Sequence, residues 1–582
     1  MPDSGFADAR HAGVLVPLFS IPSRGSWGLG EIPDLARFAS WLDSAGCDFV
    51  QLLPVNEMAD GQNSPYSAMS AMAIDPIYIS MADVEEFAAA GGERSLDAGD
   101  RARLDEARGS GMVAYPIIRD IKSKALAAAF DRFERTEWRT ESARAVELRE
   151  FLERERWWLD DYALFRALHG ERKGQYWLEW DEDIRVRETS AINSARTRLV
   201  REILYRSWLQ WVADAQWQRA RHDARGVRIF GDFPFVVSGD SADVWARQHE
   251  FRLDASVGTP PDDFSATGQD WGLPVYRWDI IERSDYEWLK QRAHRSTELF
   301  DGFRVDHLIG FYRTYYRELD KRAAFSPADE GSQIAQGERI LRVLASFGVQ
   351  IVAEDLGTVP DFVRDSLTRV HVPGYKVLRW EREWHKPDKP FRDPALYPPL
   401  SLATSGTHDT ETLAEWWDDA DLDERSQAVE WPALRARECD PAGSFDDDVR
   451  DGLLQTLLAS RSNLVVIRSR TSSGGVTAST PPLWWTTSIG DGGCRGRLTR
   501  LTSSRYLASA PRSFEACLRA LADTCDKIPR HVRFGSPIRA GSTRSARPRD
   551  RPMALQSRDR MSVLARAREA VHIRSSERCA GV

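Results

Sequence analysis

Residues 300–311 read FDGFRVDHLIGF. Phe300, Asp301, Gly302 and Phe303 lead into Arg304, then Asp306 beside His307, then a glycine. The run reads as a buried strand, and side chains alternate along a strand, so Arg304 and Asp306 point to the same side while His307 faces away from Asp306. Charge at the end of a buried strand is costly unless it is paired or used.

Outward from this stretch the same pattern repeats. DFVQLLPV at 48–55, GVRIFGDFPFVV at 226–237, GVQIVAEDLG at 348–357 and SLATSGTHDT at 401–410 are further short apolar runs. Between them lie amphipathic stretches such as GEIPDLARFASWLDSAG, with Pro33 in a first turn and Leu35, Phe38, Trp41 and Leu42 at helical spacing. Short buried strands separated by helices predict an α/β fold with a parallel sheet covered by helices. Residues of about 84–222 break the rhythm: they are charged, rich in Leu, Trp and Arg, and lack strand signals, which predicts a large helical insertion.

The composition is globular, with 42% apolar and 29% charged residues in 582. The 21 Trp residues are many, and indole faces suit flat ligands such as sugar rings, although core packing accounts for most of them. No apolar run is long enough to cross a bilayer, and the first residues lack the order of a secretory signal, which predicts a cytoplasmic protein with no membrane partner. Six cysteines without a CxxC pair or a regular framework indicate neither zinc nor structural disulfides.

Four predicted strands end in carboxylates: Asp232, Asp306, the Glu354/Asp355 pair and Asp409. In a closed parallel β/α barrel every strand's C-terminal end opens on one face, so these residues would meet in one cleft. A lone strand-end Asp is more often a helix cap; four together, two of them beside a His, point towards catalysis.

At this level the chain resembles the 4-alpha-glucanotransferases, the amylomaltase or disproportionating-enzyme family related to the alpha-amylases. The resemblance runs from about Leu15 to Ile467. It is carried by SPYSAMSAMAIDP (64–76), GDFPFVVSGDSADVW (231–245), PPDDFSATGQDWGLPVYRWD (260–279), GFRVDH (302–307), VAEDLGTVP (352–360), PGYKVLRW (373–380) and TSGTHDTETL (404–413). It implies a (β/α)8 TIM-type barrel over residues 1–466, interrupted by the helical insertion. It also implies transfer of alpha-1,4-glucan segments from a maltooligosaccharide donor to a glucose or maltodextrin acceptor, with no cofactor, metal or nucleic acid. A hydrolase on the same site is the neighbouring reading, and a catalytically impaired remnant that at most binds glucan is the reading from another class.

The resemblance also implies roles. Retaining glycoside chemistry needs a carboxylate nucleophile and a carboxylic acid proton donor. By motif, Asp306 is the nucleophile, Glu354 the general acid and then base, and Asp409 a third carboxylate that binds sugar hydroxyls. Arg304 is a fixed cation that keeps Asp306 ionised. His408 donates to a sugar hydroxyl, and Asp232 holds Arg304 or touches substrate. Residues 260–272 read as a loop arching over the cleft, from which Trp271 stacks on an acceptor sugar and Gln269 hydrogen-bonds to it. Tyr66 is a stacking platform on the donor side.

After NLVVI the resemblance stops. From Ile467 onward there are 21 Arg and one Lys against eight acidic residues, an excess of +14 that leaves −23 of the net −9 for residues 1–466. The family continues here into a motif like PIQDVFGWRDRINTP, whereas this chain reads RSRTSSGGVTASTPPLWW. Permitted codons for residues 467–481, read with one base restored after Ile467, spell IPIQDVFGWRDRINT. The same shift makes TSIGDGGCRGRL at 487–498 compatible with the family-like QHWGRWLPWPV. The expectation is that residues of about 468–582 are translated out of frame; a disordered basic tail for an acidic partner is the alternative. Resequencing the gene around codons 460–475 is expected to reveal one base more than this reading contains, and an intact frame would end the idea.

Overall fold

Each short apolar run of the sequence becomes a strand that ends on the same rim of a barrel. The structure, a computed structural model, describes residues 5–469 apart from 60, 63, 262–266 and 321. The expected out-of-frame segment therefore lies outside the described residues from 470 onward. The strands are β1 His11–Leu15, β2 Phe49–Gln51, β3 Arg228–Phe233, β4 Phe251–Thr259, β5 Gln269–Tyr276 and β6 Gly302–Val305. They continue with β7 Thr314–Glu318, β8 Ala323–Ser326, β9 Gln350–Ala353, β10 Gly374–Val377, β11 Ser401–Thr404 and β12 Leu464–Arg468.

Eight of them, β1, β2, β3, β6, β9, β10, β11 and β12, close in that order into a parallel barrel. Closure is made where β12 meets β1, in register from His11 opposite Leu464 to Leu15 opposite Arg468. Closing the sheet removes the free edges that an open sheet exposes. Alternation sorts the side chains: Leu15, Phe49, Phe230, Tyr375, Leu402, Leu464 and Val466 form one buried cluster within the barrel, while Val14, Val50, Ile229, Phe303 and Ile351 join the larger core shared with the helices. The (β/α)8 expectation holds.

From Glu85 to Asp223 the described chain carries helices and no strand. Three are long, Tyr115–Phe133, Ala143–Glu171 and Val200–Asp223, and they pack on buried aromatics such as Phe130, Phe133, Trp158 and Trp208. The last helix also grips the segment that follows β2. The Gln210 amide accepts from Ile74 N and donates to Ile74 O, both at 2.9 Å, and Gln216 makes the same pair with Ser80 at 2.8 and 3.0 Å. Main-chain groups that have no ladder partner are satisfied in this way, and the segment carrying Tyr66 is fixed to the insertion.

The loop expectation for residues 260–272 is only half right. Gln269 and Trp271 lie on β5, which pairs antiparallel with β4, Thr259 opposite Gln269 and Gly258 opposite Asp270. β4 and β5 join β7 and β8 in a separate four-stranded sheet of order β5-β4-β7-β8. Gly268 makes the return possible: its φ is +67°, and a Cβ there would stand 2.3 Å from Thr259 O. The prolines, glycines and acidic residues of this stretch hide its strand character: β5 is a strand because it pairs with β4 across the return at Gly268, and β4 pairs in turn with β7, about sixty positions away, so the sheet does not rest on local propensity.

Candidate active site

The register of β3 on β6 sets Asp232 directly opposite Arg304. Both side chains are buried, and Nη1 of Arg304 donates to the two Asp232 oxygens at 2.9 and 2.7 Å. Nη2 of the same guanidinium lies 2.8 Å from Asp306 Oδ1 and 3.8 Å from Glu354 Oε2. Asp306 follows β6 by one residue and Glu354 follows β9 by one residue, and these two strands are neighbours. One buried cation thus gathers three carboxyl groups at the C-terminal mouth of the barrel.

The chain turns sharply straight after Asp306. His307 has a φ of +41°, a left-handed conformation that is strained for a residue with a side chain. The turn aims its N–H at Glu354 Oε2, at 2.7 Å. Its ring packs against both Phe235 and Trp271, whose centroids are 5.6 and 4.8 Å away. Trp271 in turn donates from Nε1 to Gln269 Oε1 at 2.9 Å.

On the opposite side Tyr66 donates its hydroxyl to Asp232 Oδ2 at 2.6 Å, and its ring lies flat on His408, centroids 5.0 Å apart and planes 14° apart. One face of Tyr66 is therefore already occupied. Nε2 of His408 is 3.0 Å from Asp409 Oδ2. Asp409 itself stands at the rim, its side chain 76% exposed, and is linked to the Arg304 cluster through His408 and Tyr66.

Burial sets the protonation pattern. It pushes Glu354 up to about 8, aided by the negative charge of Asp306 and opposed by Arg304 and the His307 N–H. It pushes Asp232 up to about 7 against the pull of Arg304. Burial lowers both His307 and His408 to about 4, so these rings are neutral near pH 7. Burial thus raises two of the carboxyl groups around Arg304, and of the pair that faces its Nη2, Glu354 is the one held in its proton-bearing form at neutral pH, the kind of environment that acid–base chemistry needs.

The family model of the 4-alpha-glucanotransferases, glycoside hydrolase family 77, matches residues 16–471. The chain belongs to this family. The enzyme is 36% identical to the 4-alpha-glucanotransferase of Thermus thermophilus over 423 residues, 70% of this chain and 80% of that one. Against the 4-alpha-glucanotransferase of Chlamydia pneumoniae it is 32% identical over 409 residues, 70% of this chain and 75% of that one. Among solved structures it is similar to the amylomaltase from Streptococcus agalactiae in complex with acarbose, with a TM-score of 0.69, 25% identity, and coverage of 89% of this chain and 99% of that one.

Of the residues singled out in the glucanotransferase sequence, Arg304, Asp306, Glu354, Asp232 and Tyr66 form one connected cluster. Trp271 and Gln269 join it through His307, and Asp409 through His408. The sequence reading passed over the backbone of His307, because nothing in a His codes for a left-handed turn. It also passed over Gln51 and Tyr375, which exchange hydrogen bonds of 2.9 and 3.2 Å across the buried barrel interior. Replacing Asp232 by Ala leaves a buried guanidinium short of its bidentate partner, and should cost roughly 3–5 kcal/mol of stability; urea denaturation beside the parent protein measures it.

Proposed function

We propose that the glucanotransferase works by retaining double displacement, with Asp306 as nucleophile and Glu354 as general acid and then base. The carrying observation is the shared Nη2 of Arg304, which sits 2.8 Å from one carboxyl oxygen and 3.8 Å from the other. Two carboxyl groups tethered to one atom fit the separation of about 5–5.5 Å used by retaining pairs better than the wider gap that inverting pairs leave for a water. Asp306 attacks the anomeric carbon while the proton of Glu354 passes to the leaving glycosidic oxygen. In the second half, Glu354 takes the proton of an acceptor hydroxyl, which attacks the glucosyl-enzyme and frees Asp306.

Asp409 and His408 bind sugar hydroxyls from the rim, and Asp232 holds Arg304. Trp271 and Gln269 meet the acceptor from β5, and Tyr66 offers its remaining face to the donor. The donor is a maltooligosaccharide or alpha-glucan and the acceptor glucose or a maltodextrin. The catalytic unit is the barrel of residues 1–466, with about 84–222 as an inserted subdomain. No helix among the described residues is long and apolar enough to cross a membrane, and Cys47 and Cys439 are free thiols, which suits a cytoplasmic setting.

Incubating the protein with maltotriose should yield both glucose and oligomers longer than maltotriose, and Asp306→Asn should reduce that turnover by at least about a thousandfold. Glucose and maltose without longer products would mark a hydrolase, and no turnover by the parent chain would mark an impaired remnant. The general acid must be protonated, so with Glu354 near 8 the rate kcat/KM should hold through neutral pH and fall as the pH rises past about 8. A pH–rate profile checks this, and a profile flat to pH 9.5 would remove Glu354 from the role.

A further inference from the structure

The segment that carries His408 and Asp409 has no strand to hold it. It leaves the barrel at Thr404, the end of β11, and becomes regular again only at the helix Leu413–Asp419, capped by Thr412 and Glu415. β11 lies between β10 and β12 in the barrel, so the loop is bracketed by residues just past the ends of both neighbours.

Each neighbour contributes an arginine. Arg379, two residues beyond β10 and 3% exposed, donates Nη1 to Ser405 O at 3.0 Å and Nη2 to Glu411 O at 3.2 Å. Its Nε sits 2.6 Å from Glu411 Oε1, a close ion pair set off the hydrogen-bond line. Arg379 therefore ties the first residue of the loop to the last. Arg468, which ends β12, donates its N–H to Ser405 Oγ at 3.0 Å and Nη1 to Glu411 O at 3.0 Å, and also binds Thr410 O. Gly406 lies beneath them, where a Cβ would meet Thr410 Oγ1 at 2.7 Å and Arg379 Nη1 at 3.4 Å. Within the loop, Asp409 N donates to Thr407 Oγ1 at 3.3 Å and Thr407 N donates to Thr410 Oγ1 at 3.1 Å.

A buried guanidinium spent on two carbonyls and one carboxylate is expensive as mere glue. Its effect is to fix the height of His408 and Asp409 above the cleft, and through the His408–Tyr66 stack and the Tyr66 hydroxyl this setting runs on to Asp232 and Arg304. We propose that Arg379, seconded by Arg468, is a positioning residue for glucan transfer: it holds the loop so that His408 and Asp409 meet the sugar in the cleft. The proposal rests on the reading of Asp409 as the third carboxylate. Arg468 stands at the point where the family resemblance ends, so Arg379 is the part of the clamp that a frame-restored chain keeps.

The test is a mutant cycle in the full chain with maltotriose as substrate, comparing the parent, Arg379→Ala, Asp409→Asn and the double variant. Displacement of a catalytic loop by about an ångström costs on the order of a hundredfold, so Arg379→Ala should lower kcat 10- to 100-fold with a smaller change in KM. The double variant should be no slower than Asp409→Asn alone, because the arginine acts through the carboxylate. Arg379→Lys, able to reach one carbonyl but not both, should recover part of the loss. If the two losses multiply, or Arg379→Ala turns over like the parent, the proposal is overturned. If Asp409→Asn is itself as active as the parent, the role of Asp409 fails first and the clamp loses its purpose with it. Should Arg379→Ala not fold by circular dichroism, Arg468→Ala takes its place in the cycle, with a loss of about threefold or more and the same non-additivity. In a parent that turns over no maltotriose, the cycle is read in maltotriose affinity by titration calorimetry, where the same non-additivity supports the proposal and additive losses overturn it.

Discussion

The guanidinium of Arg304 is the constraint from which the rest of the site follows. A cation this deep in a barrel must be paired, and the register of β3 on β6 supplies Asp232, both of whose oxygens accept from Nη1. Its other nitrogen is left to face Asp306 and Glu354, and the two carboxyl groups are treated unequally. Asp306 lies in direct contact with the cation, whereas Glu354 is a full ångström further off and more desolvated, which leaves it able to hold a proton near neutral pH. The retaining mechanism proposed above uses this asymmetry, which burial of Glu354 sets and the nearer approach of Arg304 to Asp306 reinforces.

Around that centre the fold acts through neighbours. β6 ends in a strained turn at His307 that spends its N–H on Glu354 and its ring on Trp271, so Glu354 and β5 are both held by one residue. The helical insertion holds the segment of Tyr66 through Gln210 and Gln216, and Tyr66 reaches back to Asp232. The loop of His408 and Asp409 is bracketed by arginines at the ends of the two strands flanking its own. Parts of the chain hundreds of residues apart therefore converge because all strand ends open on one face.

Much of this was legible in the sequence. The alternation of short apolar runs with amphipathic helices predicts the parallel sheet covered by helices, the family resemblance implies its closure into a barrel, and period-two geometry alone predicts that Arg304 and Asp306 share a side. The motifs around Asp232, Asp306, Glu354 and Asp409 name the strand ends that meet. The four-stranded sheet was not legible, because β5 is held by β4 across a glycine return and β4 by the distant β7, and their own residues carry weak strand signals. The position of Asp409 at the rim, in place of a place beside Asp306, was also hidden: it depends on how Arg379 and Arg468 set the height of a loop, and side chains that bind distant carbonyls leave no periodic trace.

The central claim is that Asp306 forms a covalent bond with the sugar while Glu354 serves the proton. The most direct measurement is to incubate the Glu354→Gln variant with an alpha-maltosyl fluoride, whose leaving group needs no acid, and to map the adduct by peptide mass spectrometry. The result expected is a glycosyl mass on the peptide containing Asp306, released as the glycosyl azide when azide is added and not by a maltodextrin acceptor alone. An adduct on any other carboxylate would contradict it, as would rapid turnover of the fluoride by an Asp306→Asn variant.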